Sequence, residues 1–229
     1  MIEWHWPYVV LRNNKLTQKN LLIYGGSFDP PHLGHLNIAL NVQRHFHFQS
    51  FIFLPCKTPV LKQPTMATAT SRIDMLKLML KRHSEFSIST REIDRKSPSY
   101  MAETLASYRN ELGPSISITL LLGMDAFLNL NRWHAWEKIP GLCNLLIIKR
   151  PSELDHKIPN ALKSLLLDHQ CSNPLVIKNH PYGKIAYFEA GEYFISSTQI
   201  REKIQLKIEI HTDLDPVVYD YIRTHRLYQ

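Results

Sequence analysis

One stretch, residues 21–36, constrains the fold of this chain more than any other. An apolar run that begins at Leu21 ends in the pair Gly25 and Gly26, a turn-rich segment follows, and apolar residues then recur at helical spacing. This order predicts a buried strand, a glycine turn and a helix. The glycines allow another group to approach the backbone closely, and a helix start attracts anions through its free N–H groups and its dipole. A phosphate site is therefore predicted here, although the same connection is common in α/β proteins that bind no phosphate.

Two histidines, His32 and His35, stand three residues apart where the helical pattern begins. Residues at this spacing are neighbours on a helix surface, so both imidazoles are expected on one side of the helix start. In that position they could stabilise charge on a phosphoryl group. The alternative is a structural role, in which the rings only supply hydrogen bonds within the fold.

Short apolar runs recur along the chain with helical patterns between them. Runs of this kind predict a parallel sheet that is buried on both faces. Strands are expected at residues 50–55, 86–90, 116–122, 144–151 and 184–190, helices around residues 71–83 and 161–169, and a charged loop at residues 92–96. We expect one α/β domain over residues 20–229, preceded by an N-terminal extension, residues 1–19.

Composition narrows the classes of ligand and location. The formal net charge of +7 and the pI of about 9.3 favour an anionic ligand, but the scattered basic residues form no tract like those of nucleic-acid-binding tails. No apolar run reaches membrane-spanning length, and the acidic and aromatic residues after Met1 do not resemble a signal peptide. Three cysteines without C-x-x-C spacing predict reduced thiols. We therefore expect a cytoplasmic protein without a membrane or nucleic-acid partner.

One segment resembles the signature of an enzyme family: Gly25-Gly26-Ser27-Phe28-Asp29-Pro30-Pro31-His32-Leu33-Gly34-His35. It is similar to the pattern G-G-[ST]-F-D-P-x-H-x-G-H of bacterial nicotinate-nucleotide adenylyltransferases. The short H-x-G-H core is shared by the nucleotidylyltransferase superfamily, whereas the longer form is much narrower. The resemblance implies a Rossmann-like, doubly wound fold of the nucleotidylyltransferase type, with ATP bound by Gly25, Gly26, Ser27 and Phe28. It also implies that His32 and His35 stabilise charge at the α-phosphate of ATP.

A second segment, residues 195–201, resembles the I-S-[SA]-T-x-I-R signature of the same family. Ser196 and Gln199 have the spacing of a capping box, so a helix is expected to start here. The resemblance implies that Ser197, Thr198 and Arg201 hold the departing β- and γ-phosphates of ATP. Taken alone, the segment would be an ordinary capped helix.

Two motifs resemble the family's site for the pyridine ring of the acceptor. Residues 99–105 are similar to S-Y-T-x-x-T-L, with Tyr100 retained and Met101 in place of the first threonine, so that only backbone N–H groups would hold the pyridine carboxylate. Residues 133–139 are similar to W-x-x-[WY]-x-x-I. In that motif Trp133 would stack on the nicotinate ring and His134 would offer its main-chain N–H, whereas Trp136, one turn along the same helix, is interpreted as a core residue.

Two single positions complete the predicted acceptor site. Asp125 ends a G-x-D segment after an apolar strand and is a candidate acceptor of ribose hydroxyl groups, although a plain helix cap would look the same. Lys62 ends Pro59-Val60-Leu61-Lys62, which resembles the family's P-P-H-[KR] segment. The resemblance implies that Lys62 meets the acceptor phosphate, but the histidine of the motif is missing at Leu61.

By resemblance, the activity is the transfer of the adenylyl group of ATP to nicotinate mononucleotide, which gives deamido-NAD and pyrophosphate. Magnesium is expected as an ion that the ATP phosphates and water ligate, without a dedicated protein site. A homo-oligomer is compatible with the sequence. Alternatives are another acceptor, such as nicotinamide mononucleotide or phosphopantetheine, and a non-enzymatic module that binds nucleotides or RNA. The chain is too short for the appended tRNA-binding domain of a class I aminoacyl-tRNA synthetase.

Overall fold

The computed structural model describes residues 19–229 except for residues 60, 62, 150–156 and 211. The N-terminal extension predicted for residues 1–19 therefore falls outside the described residues, apart from Lys19. The boundary between this extension and the domain of residues 20–229 stays a prediction.

The described residues contain a sheet of six strands, and every neighbouring pair is parallel. The strands are β1 (Asn20–Gly26), β2 (Ser50–Pro55), β3 (Phe86–Ile88), β4 (Ser117–Gly123), β5 (Asn144–Ile148) and β6 (Ile185–Phe188). Their order across the sheet is β3-β2-β1-β4-β5-β6, so the winding direction reverses between β1 and β4. This order confirms the predicted doubly wound, Rossmann-like α/β fold. The crevice at such a reversal is where open sheets bind their ligands.

Helices connect the strands and cover both faces of the sheet. The α-helices are α1 (Leu33–Phe46), α2 (Ala69–Leu80), α3 (Arg91–Asp94), α4 (Met101–Leu112), α5 (Met124–Leu128), α6 (Asn160–His169), α7 (Ser197–Gln205) and α8 (Pro216–Thr224). Short 3₁₀-helices span Leu130–Arg132, Trp136–Gly141 and Pro174–Lys178. Helices α1, α2, α7 and α8 pack against one hydrophobic cluster, and α4, α5 and α6 pack against another.

Strand β1 shows why its apolar run has almost no interruption. Leu22 faces the cluster of α1 and α2, whereas Leu21 and Ile23 face the cluster of α4, and all three side chains are fully buried. A central strand covered on both faces must be apolar at every position, because neither face meets water. Each of these side chains contributes about 1.5–3 kcal/mol of hydrophobic stabilisation. The glycine turn at the end of β1 is therefore anchored in the most deeply buried part of the domain.

The charged loop expected at residues 92–96 is partly wrong. Its first residues belong to the short helix α3, and Glu92 on that helix is only 2% exposed. The charged residues of this segment predicted that it would be exposed to solvent. The hydroxyl of Thr104, however, donates a hydrogen bond to the Glu92 carboxylate at 2.8 Å, which makes burial of this side chain tolerable.

The single helix expected around Trp133 is also wrong. The segment consists of the 3₁₀-helices Leu130–Arg132 and Trp136–Gly141, which are separated by a break at Ala135, where φ is +51°. A non-glycine residue in that region interrupts a right-handed helix. Trp133 and Trp136 are both half-buried and pack against the same cluster. Burial therefore does not single out Trp136 as the core residue.

Two further expectations concern thiols and membranes. Cys56, Cys143 and Cys171 all carry free thiols, and burial raises the pKa of the Cys143 thiol to about 12. Within the described residues, no helix combines the length and the apolar character needed to cross a bilayer.

Candidate active site

The glycine turn lies at the reversal of the sheet. Gly25 and Gly26 end β1 and pair with Leu54 and Pro55 of β2. Beside them, β4 ends at Gly123 on the other side of the reversal. The carboxyl ends of β1 and β4 therefore frame the crevice, and the segments that follow these strands supply its walls.

The two predicted histidines stand at the start of α1. His32 is the N-cap residue, and His35 is the third residue of the helix. The imidazole ring centroids are 3.7 Å apart, and the backbone N–H of His32 donates to Nδ1 of His35 at 3.3 Å. His32 is 6% exposed, whereas His35 is half-buried and packs edge-on against Phe28. The predicted adjacency of the rings at the positive end of the helix dipole is confirmed.

Gly34 explains the H-x-G-H spacing. A Cβ at this position would lie 3.0 Å from Nδ1 of His32 and 3.1 Å from its Cε1. These distances are tighter than nine in ten real Cβ contacts, so a larger residue would require the imidazole to shift by a few tenths of an ångström. Glycine between the two histidines therefore lets the His32 ring fold over the first turn of α1.

A buried carboxylate holds the loop that carries these residues. Asp29 is 3% exposed, and its carboxylate accepts hydrogen bonds from the backbone N–H groups of Met66 and Ala67 at 2.8 and 3.1 Å. The hydroxyl of Tyr228 donates to the same carboxylate at 2.8 Å. Burial and the Asp29 charge raise the pKa of the Tyr228 hydroxyl far above its usual range, so this proton stays in place. Asp29 thus ties the turn to the start of α2 and to the C-terminal tail.

A buried guanidinium holds the other side of the same loop. Arg72 on α2 is fully buried and donates to the carbonyl of Ser27 at 2.6 Å. It also donates to the carbonyls of Cys56 and Lys57 at 2.8 and 3.0 Å. Arg72 therefore links the segments that follow β1 and β2, the two segments expected to meet the phosphates.

Phe28 lies within this arrangement as a core residue. Its side chain is 1% exposed and packs against Tyr24 and Phe53, and its backbone φ is +48°. The ring is therefore turned away from solvent. Any contact of Phe28 with ATP must be made by its backbone, whereas Gly25, Gly26 and Ser27 are half-buried at the end of β1.

The second motif packs directly against the first. Helix α7 starts at Ser197 behind the N-cap Ser196, whose side chain accepts from the Gln199 backbone N–H at 3.2 Å. The hydroxyl of Ser197 donates to the carbonyl of Pro30 at 2.9 Å, across 167 residues of chain. The expected helix start is confirmed, and the two motifs lie side by side.

Arg201 makes the second link between the two motifs. Its guanidinium donates to the carbonyl of Asp29 at 2.7 Å and to the hydroxyl of Thr198 at 3.2 Å. Because a guanidinium has five N–H donors, these two contacts leave donors for a bound anion. Thr198 is exposed at the same helix start. Ser197 and Arg201 therefore bring the α7 start against the segment that directly precedes His32.

The predicted acceptor residues gather on the α4 side of the crevice. Tyr100 is the N-cap residue of α4, and its ring centroid is 4.3 Å from that of the exposed His134. The methyl group of Met101 lies over Gly25, since a Cβ added at Gly25 would lie 3.0 Å from the methyl carbon. Trp133 packs half-buried against the same cluster as Met101. Met101 therefore joins the acceptor side to the glycine turn.

The two remaining positions have different outcomes. Asp125 is exposed in the first turn of α5, and one of its carboxylate oxygens would lie 2.9 Å from a Cβ at Gly123. Its carboxylate therefore folds back over the end of β4, at the rim of the crevice. Lys62 falls outside the described residues, and its predicted contact with phosphate stays a prediction.

Four residues that support the site have no role predicted from the sequence: Asp29, Arg72, Glu92 and Tyr228. Asp29 had a signal, because it lies inside the first motif between a buried aromatic residue and a proline. Arg72 had none, because one arginine in a helical pattern is usually solvated. Tyr228 stands at the end of the chain, and only the folded structure brings it to the glycine turn.

Comparison with known proteins agrees with this geometry. The model of the family described as "Cytidylyltransferase-like" matches residues 23–203. A relative from Legionella pneumophila strain Paris, named "Probable nicotinate-nucleotide adenylyltransferase", is 44% identical over 210 residues, which cover 92% of this chain and 99% of the relative. A relative of the same name from Methylococcus capsulatus is 35% identical over 207 residues and covers 90% of this chain and 98% of its own length.

Solved structures match the fold at lower identity. Nicotinic acid mononucleotide adenylyltransferase of Plasmodium falciparum, complexed with NaAD, aligns with a TM-score of 0.70 at 21% identity. The alignment covers 92% of this chain and 98% of that chain. The same enzyme complexed with APC aligns with a TM-score of 0.68 at 20% identity and with the same coverage. At these identities the likeness supports the fold.

Proposed function

This chain belongs to the nicotinate-nucleotide adenylyltransferase family, and we propose that it transfers the adenylyl group of ATP to nicotinate mononucleotide. The products are deamido-NAD and pyrophosphate, and the reaction is a step of NAD biosynthesis. The observation that carries the proposal is the contact between the two motifs, in which Ser197 and Arg201 donate to the carbonyls of Pro30 and Asp29. This contact brings the α7 start to the residues just before α1, so one triphosphate can reach both helix starts.

The triphosphate lies between the paired imidazoles and the α7 start. His32 and His35 face the α-phosphate and stabilise the negative charge that grows there during attack. Ser197, Thr198 and Arg201 hold the β- and γ-phosphates, which depart as pyrophosphate. The backbone of residues 25–28 lies along the nucleotide, because glycine leaves room for a close approach.

The acceptor occupies the α4 side of the crevice. The α4 start attracts the pyridine carboxylate through the backbone N–H groups of Met101 and Ala102, which precede the first hydrogen bonds of the helix, made by Glu103 and Thr104. Trp133 stacks on the pyridine ring, and the main-chain N–H of His134 completes the contact. Asp125 accepts hydrogen bonds from ribose hydroxyl groups, and Lys62 meets the acceptor phosphate.

The chemistry needs no general base. A phosphate oxygen of the acceptor, already anionic at neutral pH, forms a bond to the α-phosphorus of ATP. The bond from that phosphorus to the oxygen that bridges to the β-phosphorus breaks, and its electron pair leaves with pyrophosphate. The protein therefore contributes alignment and charge neutralisation. Because imidazoles titrate near neutral pH, turnover depends on histidine protonation between about pH 5 and 8.

Magnesium fits this site as an ion that ATP carries. The described residues contain no group of three or more His, Cys, Asp or Glu side chains that could hold a metal. The Asp29 carboxylate, the buried acid of the turn, accepts three hydrogen bonds from the protein. The donor set thus suits a magnesium ion ligated by phosphate oxygens and water. When bound, the ion supplies further neutralisation of phosphate charge.

The test is pyrophosphate release by the purified protein with ATP and each of three acceptors: nicotinate mononucleotide, nicotinamide mononucleotide and phosphopantetheine. We expect release and a deamido-NAD product with the first acceptor, and much slower release with the others. Faster release with either other acceptor would reassign the substrate. No release with any of them, together with salt-sensitive binding of RNA, would replace the enzyme by a nucleic-acid-binding module. Cytoplasmic location and homo-oligomerisation stay predictions from the sequence.

A further inference from the structure

A buried acid lies under the start of α4. Glu92 on α3 is 2% exposed, and its carboxylate accepts a hydrogen bond from the Thr104 hydroxyl at 2.8 Å. The Ser99 side chain lies close enough to the same carboxylate to lower its pKa. Thr104 lies in the first turn of α4 and Ser99 directly precedes its N-cap, Tyr100. The Glu92 carboxylate is therefore hydrogen-bonded to the first turn of α4 and lies beside the residue that precedes its N-cap.

The same network reaches the segment after β2. The Ser99 hydroxyl oxygen accepts from the backbone N–H of Lys57 at 3.0 Å, and the Lys57 ammonium donates to the carbonyl of Arg95 at 2.8 Å. Lys57 begins the loop that leads to Lys62. Through Ser99, Glu92 is thus linked to two segments of the proposed acceptor site. One is the α4 start, which is proposed to bind the pyridine carboxylate, and the other is the loop after β2, which is proposed to bind the acceptor phosphate.

Burying this carboxylate opposes folding, so its position needs an explanation. Burial raises the pKa of Glu92, while the Thr104 hydrogen bond, the Ser99 side chain and the Arg95 guanidinium act in the opposite direction. Arg95 itself lies 3.6 Å from Glu103. An apolar residue of similar size would avoid this desolvation. A buried carboxylate that bonds to the start of a neighbouring helix is a candidate for positioning that helix.

Because Met101 stands at the α4 start, binding of the pyridine carboxylate depends more strongly on the position of the helix backbone. The Met101 thioether side chain has no N–H or O–H to donate to a carboxylate, and its methyl group lies over Gly25. Recognition of the pyridine carboxylate therefore depends on backbone N–H groups alone. Backbone donors cannot adjust by rotating a side chain, so their direction is set by whatever holds the helix start.

We propose that Glu92 is a positioning residue for the acceptor: through Ser99 and Thr104 it orients the backbone N–H groups at the α4 start toward the pyridine carboxylate. This inference rests on the proposed function, since it takes the acceptor to be a nicotinate. Glu92 does not touch the acceptor. It has no direct effect on the triphosphate, whose ligands lie on α1 and α7.

The test compares Glu92→Gln with wild type by equilibrium binding of nicotinate mononucleotide and of ATP, measured separately by calorimetry. We expect the Kd for nicotinate mononucleotide to rise about tenfold, because the substitution replaces a charge-assisted hydrogen bond by a weaker neutral one, and the Kd for ATP to stay within about twofold. Glu111→Gln is the matched control, because Glu111 lies in the last turn of α4, far along the helix from its start, and pairs with Arg91. This control is expected to bind both ligands like wild type.

A second pair of variants guards against a folding defect in Glu92→Gln. Thr104→Val removes the hydroxyl donor, whereas Thr104→Ser keeps it, so the serine variant is expected to restore acceptor binding that the valine variant loses. Unchanged acceptor binding in Glu92→Gln, or equal weakening of both ligands, would overturn the proposal. Wild type that binds nicotinate mononucleotide but releases no pyrophosphate would instead refute the proposed function, and the role of Glu92 would still be decided by binding.

Discussion

The ATP side and the acceptor side of the crevice are held in different ways. On the ATP side, the turn after β1 is fixed by charged side chains that bond to it directly: Asp29, Arg72 and Arg201. On the acceptor side, the α4 start is held by one hydrogen bond from the Thr104 hydroxyl to the Glu92 carboxylate and by a ring contact between Tyr100 and His134. The first set makes several charge-assisted hydrogen bonds, which are the stronger kind.

This difference matches where the chain follows the family signature and where it departs from it. The ATP side retains every residue of the two phosphate motifs, whereas the acceptor side carries Met101 and Leu61 in place of a threonine and a histidine. Where side-chain donors are replaced, binding depends more on backbone N–H groups and on the residues that orient them. We therefore expect substitutions on the ATP side to impair turnover, and substitutions on the acceptor side to weaken binding of one substrate.

The largest effect is expected for His35→Ala. Loss of this imidazole removes a charge-stabilising group at the α-phosphate, so kcat falls about a hundredfold or more, while the thermal unfolding midpoint stays close to that of wild type. Steady-state kinetics and a thermal melt measure the two quantities. The control is His47→Asn, at the exposed far end of α1, where asparagine tolerates the positive φ of 50°. Normal turnover of His35→Ala would remove this ring from the chemistry.

Arg201→Ala comes next. The guanidinium makes charged hydrogen bonds of about 1.5–3 kcal/mol each, so kcat/KM for ATP is expected to fall about 10- to 100-fold, while the Kd for nicotinate mononucleotide is unchanged. Kinetics at varied ATP and calorimetry with the acceptor test both parts. Arg223→Ala on α8, whose guanidinium lies over the Tyr219 ring, serves as the charge-matched control. Equal weakening of ATP use and of nicotinate mononucleotide binding would mean that the ATP side and the acceptor side do not act separately.

On the acceptor side, Trp133→Ala is expected to have a smaller and selective effect. Loss of aromatic stacking removes about 0.5–1.5 kcal/mol, so KM for nicotinate mononucleotide rises about two- to tenfold and KM for ATP does not change. Trp136→Ala is the comparison, because Trp136 is half-buried against the same cluster. If the two variants change KM alike, stacking by Trp133 is not what binds the pyridine ring.

The smallest effect concerns stability and pH. Burial raises the pKa of Glu92 above its ordinary 4.5, so the folded state binds this proton more tightly than the unfolded state. Its contribution to stability is present below about pH 4.5 and is lost as the pH rises through the higher folded-state pKa. The free energy of unfolding of Glu92→Gln, relative to wild type, is therefore expected to increase as the pH rises from 4. Denaturant unfolding at several pH values measures it, and a difference that decreases with pH would contradict the assignment.

The sheet and the ATP side could be read from the sequence because their signals are local. Apolar runs on β1 and β4 dictate burial, and the glycine pair with H-x-G-H dictates the turn and the start of α1. The buried residues that hold the site in place could not be predicted from the sequence. Arg72 and Glu92 look like solvated charges until the fold supplies carbonyl and hydroxyl partners, and Tyr228 meets Asp29 only because the chain returns across 199 residues.

The break at Ala135 shows a different limit. Its positive φ separates the two 3₁₀-helices around Trp133, and no glycine or proline marks the position in the sequence. Helical spacing of tryptophans predicted one helix there. In the structure both rings pack on one cluster, one on each side of the break.

A crystal structure with a non-hydrolysable ATP analogue would show whether one triphosphate reaches both helix starts. Phosphate oxygens are expected within hydrogen-bonding distance of His32 or His35 on one side and of Ser197, Thr198 or Arg201 on the other. A triphosphate that contacts only one of these two sets, or that binds outside the crevice between β1 and β4, would contradict this expectation.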